Sequence, residues 1–385
     1  MVWMESSTVS LRQEFVSLAC QGDANVRELC RRFGISPKTG YKWLSRFKDA
    51  GGDAASLEDR SRRPRTSPRL SASHVQLAAV QVRHLHPTWG ARKIAWYLQE
   101  LQQIQVTPST VTHILRRHGL LNAAAISAAQ HWQHFEHASP NELWQIDFKG
   151  HFKTLSGTCH ALTLLDDHSC FNLLIKAVAR TDIGQVQPQL VDIFRRYGLP
   201  VRINADNGPP WGSPSAGGRS LSELAVWLIR LGVRVSFSAP YHPQTNGKLE
   251  RFHRTLNQDV IAGRHFSDLE DVQHAFDQWR STYNCKRPHE SLGMRKPIER
   301  YRPSAVAYPE QTPAIEYPDG DTVVVVGWNG ITSFKGRKYR FSSALHRLPV
   351  GIRANPQHEG LFDVYFCHQR FAQIDLRTAS ADTWL

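Results

Sequence analysis

"LWQIDFKGHFKTLSGTCHALTLLDDHSCFNLLIKAV", residues 143–178, sets the architecture. Its first segment alternates. Trp144, Ile146 and Phe148 fall on one side, and Gln145, Asp147 and Lys149 on the other, the period of two of a half-buried strand. "HALTLLDDHS" and "CFNLLIKAV" read as two more strands around an Asp-rich turn. The period then changes. Val186, Leu190, Ile193, Phe194 and Tyr197 line one face of a helix, and "LPVRINADNG" is a fourth strand. "LSELAVWLIRLG" is a helix, "VRVSFSAP" a fifth strand, and helices follow at about 246–262 and 268–284. Three hairpin-linked strands followed by alternating helix and strand predict a mixed α/β sheet of five strands, flanked by helices, over 141–303.

On the N-terminal side of this region the apolar spacing is helical. Residues 1–50 read as three short helices. "FGIS" supplies a glycine turn and Pro37 opens "PKTGYKWLSRFK", the grammar of a helix-turn-helix. Lys38, Thr39, Tyr41 and Lys42 would face a major groove. Residues 51–69 lack an apolar period and form a linker, whose "RSRRPR" run places Arg62, Arg63 and Arg65 for phosphates or a minor groove, or as a solvated tether. Residues 70–121 repeat the grammar. "HPTWGARKIAWYLQEL" carries Ile94, Tyr97, Leu98 and Leu101 at helical spacing, and "VTPSTVTHILRRHGLL" would present Ser109, Thr110, His113, Arg116 and Arg117. Residues 122–140 read as a connector. His131, His134 and His137 recur in it, with no cysteine or acid pattern that makes them a metal cluster. On the far side, 304–385 holds short Gly-punctuated β-runs, "TVVVVGWNGITSFKGRKYRF" and "LFDVYFCHQRFAQIDL", which predict a small β-barrel.

The whole 385-residue chain carries 47 Lys+Arg against 34 Asp+Glu, a net +13, which favours polyanionic partners and nucleic acid first. The excess is at the front: 18 basic against 9 acidic residues in 1–130, but 8 of each from 304 onward. The six cysteines are scattered without a C-x-x-C pair, so neither a zinc knuckle nor a disulfide framework is indicated. No apolar run is long enough for a membrane helix and no signal-peptide core opens the chain. A cytoplasmic, nucleoid-associated protein without a membrane partner is therefore expected.

"YHPQTNGKLERFHRTL", 241–256, places a lone acid, Glu250, among cations at the start of a helix. Asp147 lies mid-strand, and Asp206 lies where the fourth strand exits into a turn, the end at which open α/β sheets bind ligands. If the first and fourth strands are neighbours, all three acids meet. Carboxylates that converge repel one another unless cations lie between them, and oxygen ligands suit Mg²⁺ or Mn²⁺. A pair of such ions about 3.5–4 Å apart serves in-line phosphoryl displacement. Lys248, Arg251 and Arg254 would then hold phosphates. Asp166 and Asp167 are the competing acids, but a hairpin turn favours Asp for local hydrogen bonding.

Together "LWQIDFKG", "NADNGPPW", "PYHPQTNGKLERFHRTL" and "YNCKRPHESLGMRKPIERY" resemble the core of bacterial insertion-sequence DDE transposases. The resemblance implies an RNase H-like fold of the retroviral-integrase type. It implies Asp147, Asp206 and Glu250 as catalytic, metal-binding acids for two ions per active site. It implies that His242, Pro243, Asn246 and Gly247 form the loop presenting the glutamate, and that Arg254 contacts DNA ends. Partners would be double-stranded DNA, both terminal inverted repeats and target, and further copies of the chain on paired ends. Two features depart from the pattern. Asp206 and Glu250 are 44 positions apart, longer than in many relatives, with "PPWGSPSAGGRS" expected as the extra loop. Asn257 stands where many relatives carry a second basic residue. A non-catalytic DNA binder of the same fold, and a nuclease that cuts without joining, are the alternatives.

Overall fold

The structure, a computed structural model, describes residues 8–60, 70–121, 136–215, 218–237, 247–377 and 380–383. The chain divides into two units, 1–70 and 71–385.

In the first unit, α1 (Thr8–Ala19), α2 (Val26–Arg32) and α3 (Pro37–Asp49) enclose Phe15, Val16, Cys30, Trp43, Leu44 and Leu57. Asn25 caps α2, and Ser36 caps α3, where Pro37 occupies the first turn that needs no amide donor. Gly40 lies inside α3 because a Cβ there would collide with Cys30 Sγ and the Phe15 ring. Gly34, at φ +66°, makes the expected turn.

The second unit begins with another three-helix motif, α4 (Ser73–Leu85), α5 (Ala91–Gln102) and α6 (Pro108–Arg117), around Val82, Trp89, Ile94, Leu98, Ile114 and Leu115. Leu101, expected on the same face, is exposed on the last turn of α5. The five core strands follow: β1 (Trp144–Lys153), β2 (Thr158–Asp166), β3 (Asn172–Val178), then α7 (Ile183–Tyr197) and β4 (Arg202–Ala205). After a two-stranded ribbon, β5 (Gly212–Ser215) and β6 (Gly218–Leu221), come α8 (Glu223–Arg230), β7 (Arg234–Phe237), α9 (Gly247–Leu256) and α10 (Leu269–Cys285).

The core sheet runs β3-β2-β1-β4-β7. β1, β2 and β3 are antiparallel, whereas β4 pairs in parallel with both β1 and β7. This is the expected mixed five-stranded sheet. Period-two alternation assigns its faces. Trp144, Ile146, Leu162 and Leu164 pack with α7 and α8, while Ala161, Leu165, Ile175 and Ala177 pack with α9 and α10.

Two expectations are corrected. The stretch "PPWGSPSAGGRS" is not a free loop: it builds β5 and β6, whose backbones pair antiparallel. The C-terminal region is also no closed barrel. Its strands are β8 (Thr322–Val325), β9 (Ile331–Phe334), β10 (Arg337–Arg340), β11 (Pro349–Ala354), β12 (Leu361–Phe366), β13 (Gln369–Asp375) and β14 (Ser380–Thr383). They form an open seven-stranded sheet, β5-β6-β14-β13-β12-β11-β8, beside a separate β9–β10 hairpin. Closure needs the two edge strands to pair. Here the ribbon from the core extends one edge, and β8 remains at the other.

This sheet is fastened to the core. The Gln369 side-chain amide accepts from Val235 N–H and donates to Val235 C=O, both at 2.8 Å. It thereby mimics a neighbouring strand on β7, the outer strand of the core sheet. The hydrophobic core is continuous from Trp144 and Phe194 to Phe341, Val364 and Phe371.

Candidate active site

The β1/β4 register decides the position of the two aspartates. Gln145 lies opposite Asn204 in a parallel pair. Two residues further along each chain, Asp147 and Asp206 are level and on the same side, because two residues complete one pleat. Asp206 stands one position beyond the end of β4, where its carboxylate accepts the Gly208 amide at 3.0 Å. The Asp147 carboxylate accepts the Phe148 amide at 2.7 Å.

Glu250 comes from α9. Leu249, Phe252 and Leu256 recur on one helical face and are buried against α10 and the sheet. Each such burial is worth about 1.5–3 kcal/mol, which seats the helix firmly. Glu250, Arg251 and Arg254 remain exposed on the other side.

The charges of Asp206 and Glu250 both reach Asp147. Burial, then the negative charge of Asp206 and finally that of Glu250, push the Asp147 carboxyl up to about 7, against the pull of the Phe148 amide. Burial also raises Asp206, opposed by the Gly208 hydrogen bond. The three acids do not form a ligand cage as placed: among the described residues no three or more His, Cys, Asp or Glu side chains are grouped to hold a metal ion.

Two polar anchors bracket Glu250 on its helix. Lys248 Nζ donates to the Asp167 carbonyl at 2.6 Å and to its carboxylate at 3.0 Å. Lys248, expected to hold phosphate, is thus committed to the turn after β2, because that turn presents a buried carboxylate directly beneath it. On the other side of Glu250, Thr163 Oγ1 donates to the Asp147 carbonyl oxygen at 2.9 Å and lies 2.7 Å from His253 Nε2. With the hydroxyl hydrogen used on the carbonyl, the imidazole donates to Thr163. His253 is driven down to about 4 by burial and by Lys149, so it is a neutral ring. Thr163 faces Asp147 directly across the β1–β2 ladder.

The competing acids are structural. Asp166 accepts the amides of Asn141 and Ser169. Asp167 accepts the His137 amide and the Gln145 side chain as well as Lys248. His137 therefore pairs with a carboxylate, while His131 and His134 lie outside the described residues.

Among the expected DNA contacts, Lys38, Tyr41 and Lys42 on α3 and Ser109, His113, Arg116 and Arg117 on α6 are exposed. The Thr39 and Thr110 hydroxyls lie 2.9 Å from those of the capping residues Ser36 and Thr107. Arg62, Arg63, Arg65, His242, Pro243 and Asn246 lie outside the described residues, whereas Gly247 is the first residue of α9. Asn257 opens a π-helical turn, Asn257–Ile261, that continues α9. Thr163 and His253 are not among the residues the sequence singles out, and Asp167 stands there only as a competing acid. Only strand register and helix packing assign them, and neither leaves a local motif.

Several segments of the chain match known families. Residues 137–243 and 231–297 match two descriptions of an integrase core domain. Residues 11–65 match a helix-turn-helix domain and 39–115 a homeodomain-like domain. Residues 321–382 match the C-terminal domain of IS481 family transposases. The chain is 31% identical over 124 residues to a Gag-Pol polyprotein of avian reticuloendotheliosis virus, covering 32% of this chain and 10% of that one. It is 26% identical over 163 residues to an uncharacterized 39.2 kDa protein of insertion element IS476 from Xanthomonas euvesicatoria, covering 42% and 44%. The chain thus spans less than half the length of these curated relatives. A chain of a simian T-cell lymphotropic virus intasome aligns with TM-score 0.34 and 16% identity, over 76% of this chain and 98% of that one.

Helix-turn-helix modules before an integrase core define the class as integrase-core proteins. Within it, the C-terminal match and the insertion-element relatives make the chain similar to bacterial insertion-sequence DDE transposases.

Proposed function

We propose that this chain is a DNA transposase. Its two helix-turn-helix units bind the terminal inverted repeats, and its core hydrolyses a phosphodiester at the element end and joins the freed end to target DNA. The observation that carries this reading is the parallel β1/β4 register, which brings Asp147 and Asp206 level, with the charges of Asp206 and Glu250 both reaching Asp147.

The donor set suits a hard cation. It consists of carboxylate oxygens only, and the repulsion that adds to burial in raising Asp147 is what a divalent ion relieves. Asp147, Asp206 and Glu250 would hold the two ions, with Glu250 moving in from its exposed position. Mg²⁺ or Mn²⁺ bound there supplies charge neutralisation at the reacting phosphate.

The remaining work belongs to the protein. Lys248 and His253 hold the Glu250 helix in place through Asp167 and Thr163. Arg251 and Arg254, on the exposed side of α9, grip phosphates, and α3 and α6 read the repeats. In the hydrolytic step a water oxygen bonds to phosphorus and the 3′-oxygen leaves, taking a proton to become a 3′-hydroxyl. In the joining step that hydroxyl attacks a target phosphodiester and releases a new 3′-hydroxyl. Copies of the chain act together on paired ends.

The test uses duplexes carrying the inverted repeats that flank the coding segment, in Mg²⁺, Mn²⁺ or EDTA. Nicked and joined products are expected only with metal. Asp147→Ala, Asp206→Ala and Glu250→Ala should each abolish both products while DNA binding persists. An alanine variant that still cuts overturns the assignment, and random nicks without joined products would identify a nuclease.

A further inference from the structure

The second helix-turn-helix unit is docked on the catalytic core. Thr88 Oγ1 donates to Asp259, in the π-helical turn after α9. Asp259 also accepts Trp279 Nε1 at 2.8 Å and Arg287 at 2.9 Å. Arg92, in the first turn of α5, pairs with Glu290 at 3.0 Å.

This seam holds more cations than it pairs. Asp259 neutralises Arg287, and Glu290 neutralises Arg92. Lys93, the next residue on α5, is half-buried and has no hydrogen-bond or ion-pair partner among the described residues. Arg251, the residue after Glu250, has none for its guanidinium either. His289 sits edge-on to Tyr283, ring centres 4.7 Å apart, and its buried Nε2 has no partner. A buried polar atom left unpaired costs about 1–3 kcal/mol unless something fills the position. Contacts bring these groups to one place: the Tyr283 ring meets His289 at 4.7 Å and Phe252, the residue after Arg251, at 5.0 Å, while the Arg92–Glu290 pair joins the neighbours of Lys93 and His289. Burial, then Arg287 and Arg251, push Lys93 down to about 8, against Glu290 and Asp259. Burial, then Arg287, Lys93 and Arg251, push His289 down to about 3, against the Tyr283 backbone. The N-terminus of α5 also opens here, at Gly90, without a side-chain cap for its first amides.

Unpaired cations, an unpaired ring nitrogen and an uncapped helix start together describe a place for an anion. We propose that Lys93, Arg251 and His289 form a phosphate seat, which takes a backbone phosphate of the DNA strand running from the second helix-turn-helix unit to the three acids. This deepens the transposase reading and rests on it. The geometry gives the seat a purpose. Lys93 belongs to the DNA-reading unit and Arg251 to the helix of Glu250, so one phosphate held between them sets the distance from the repeat to the bond that is cut. His289 donates in its Nε2–H form or when the phosphate's charge draws a proton onto it.

The experiment measures duplex binding by the full chain across a salt series for wild type, Lys93→Gln and Lys93→Arg, with thermal unfolding of each. Each phosphate contact contributes about 0.9 to the slope of log affinity against log salt. Lys93→Gln should weaken binding several-fold near 0.1 M salt and reduce that slope by about one, and Lys93→Arg should restore both. Removing an unpaired cation from a cationic seam should not lower the unfolding temperature, so lost binding in an equally stable variant separates a ligand contact from a structural one. Wild-type affinity and slope in Lys93→Gln overturn the seat. A Lys93 effect on inorganic phosphate binding but not on duplex binding would assign the site to a free anion and also overturn it. If Lys93 changes the slope but no metal-dependent cutting is found, the transposase reading fails and the seat stands.

Discussion

Asp147→Asn tests the electrostatics of the site directly. The Asp147 carboxyl rises from its ordinary value of 3.8 to about 7, chiefly through burial and then through Asp206 and Glu250. A carboxyl raised by folding holds its proton more tightly in the folded state than in the unfolded chain. Its contribution to stability is therefore complete below the unfolded value and is lost as pH climbs toward the folded one. That gap corresponds to about 4 kcal/mol at most. The high effective dielectric of real sites reduces it to roughly 2–3 kcal/mol. Asparagine keeps the shape and an oxygen for the Phe148 amide but never ionises. In metal-free buffer at pH 8 the variant should resist urea by about 2–3 kcal/mol more than wild type, and the margin should shrink steadily toward pH 5. Mg²⁺ should raise the midpoint of wild type more than that of the variant, because a ligand that binds the folded state stabilises it. The variant should not cut DNA, the usual opposition between stability and function at an active site. Equal unfolding of the two proteins at pH 8, or a margin indifferent to pH, would refute the reasoning.

Three further outcomes follow from the contacts. Asp259→Ala leaves the nearly buried Arg287 without its partner, along with Trp279 Nε1 and Thr88. It should cost about 3–5 kcal/mol in urea unfolding, and a loss below about 1 kcal/mol would contradict a paired, buried charge. Thr163→Val removes the hydroxyl between His253 and the Asp147 carbonyl. Cleavage kcat should fall about tenfold, as one lost positioning contact allows, with KM for DNA unchanged and with Thr163→Ser largely restored; a change confined to KM would exclude a positioning role. Gln369→Ala strips the amide from Val235 and bares the edge of β7. Light scattering should then show concentration-dependent association, and a monodisperse variant would show that the edge is protected by other means.

Local chemistry carried much of the architecture. Ser36-Pro37 and Thr107-Pro108 announce helix starts because a hydroxyl cap and an absent amide suit the first turn. The alternation in 143–149 announces a strand because the pleat turns side chains over every second residue. These signals span a few residues, so the amino-acid sequence alone determined the paired three-helix units and the five core strands in order, and it singled out the three acids as candidates. What depends on partners distant along the chain was decided only in three dimensions. The strands Gly212–Ser215 and Gly218–Leu221 read as a loop because their Gly and Ser residues carry little apolar pattern, and pairing in the C-terminal sheet makes them β. Lys248 reads as a free cation until the turn at Asp167, 81 positions away, folds beneath it. Thr163, His253, Lys93 and His289 carry no motif. Their roles arise from register and from the docking of α5 against the segment after α10, and a hydrogen bond or a charge field depends on distance in space rather than along the chain.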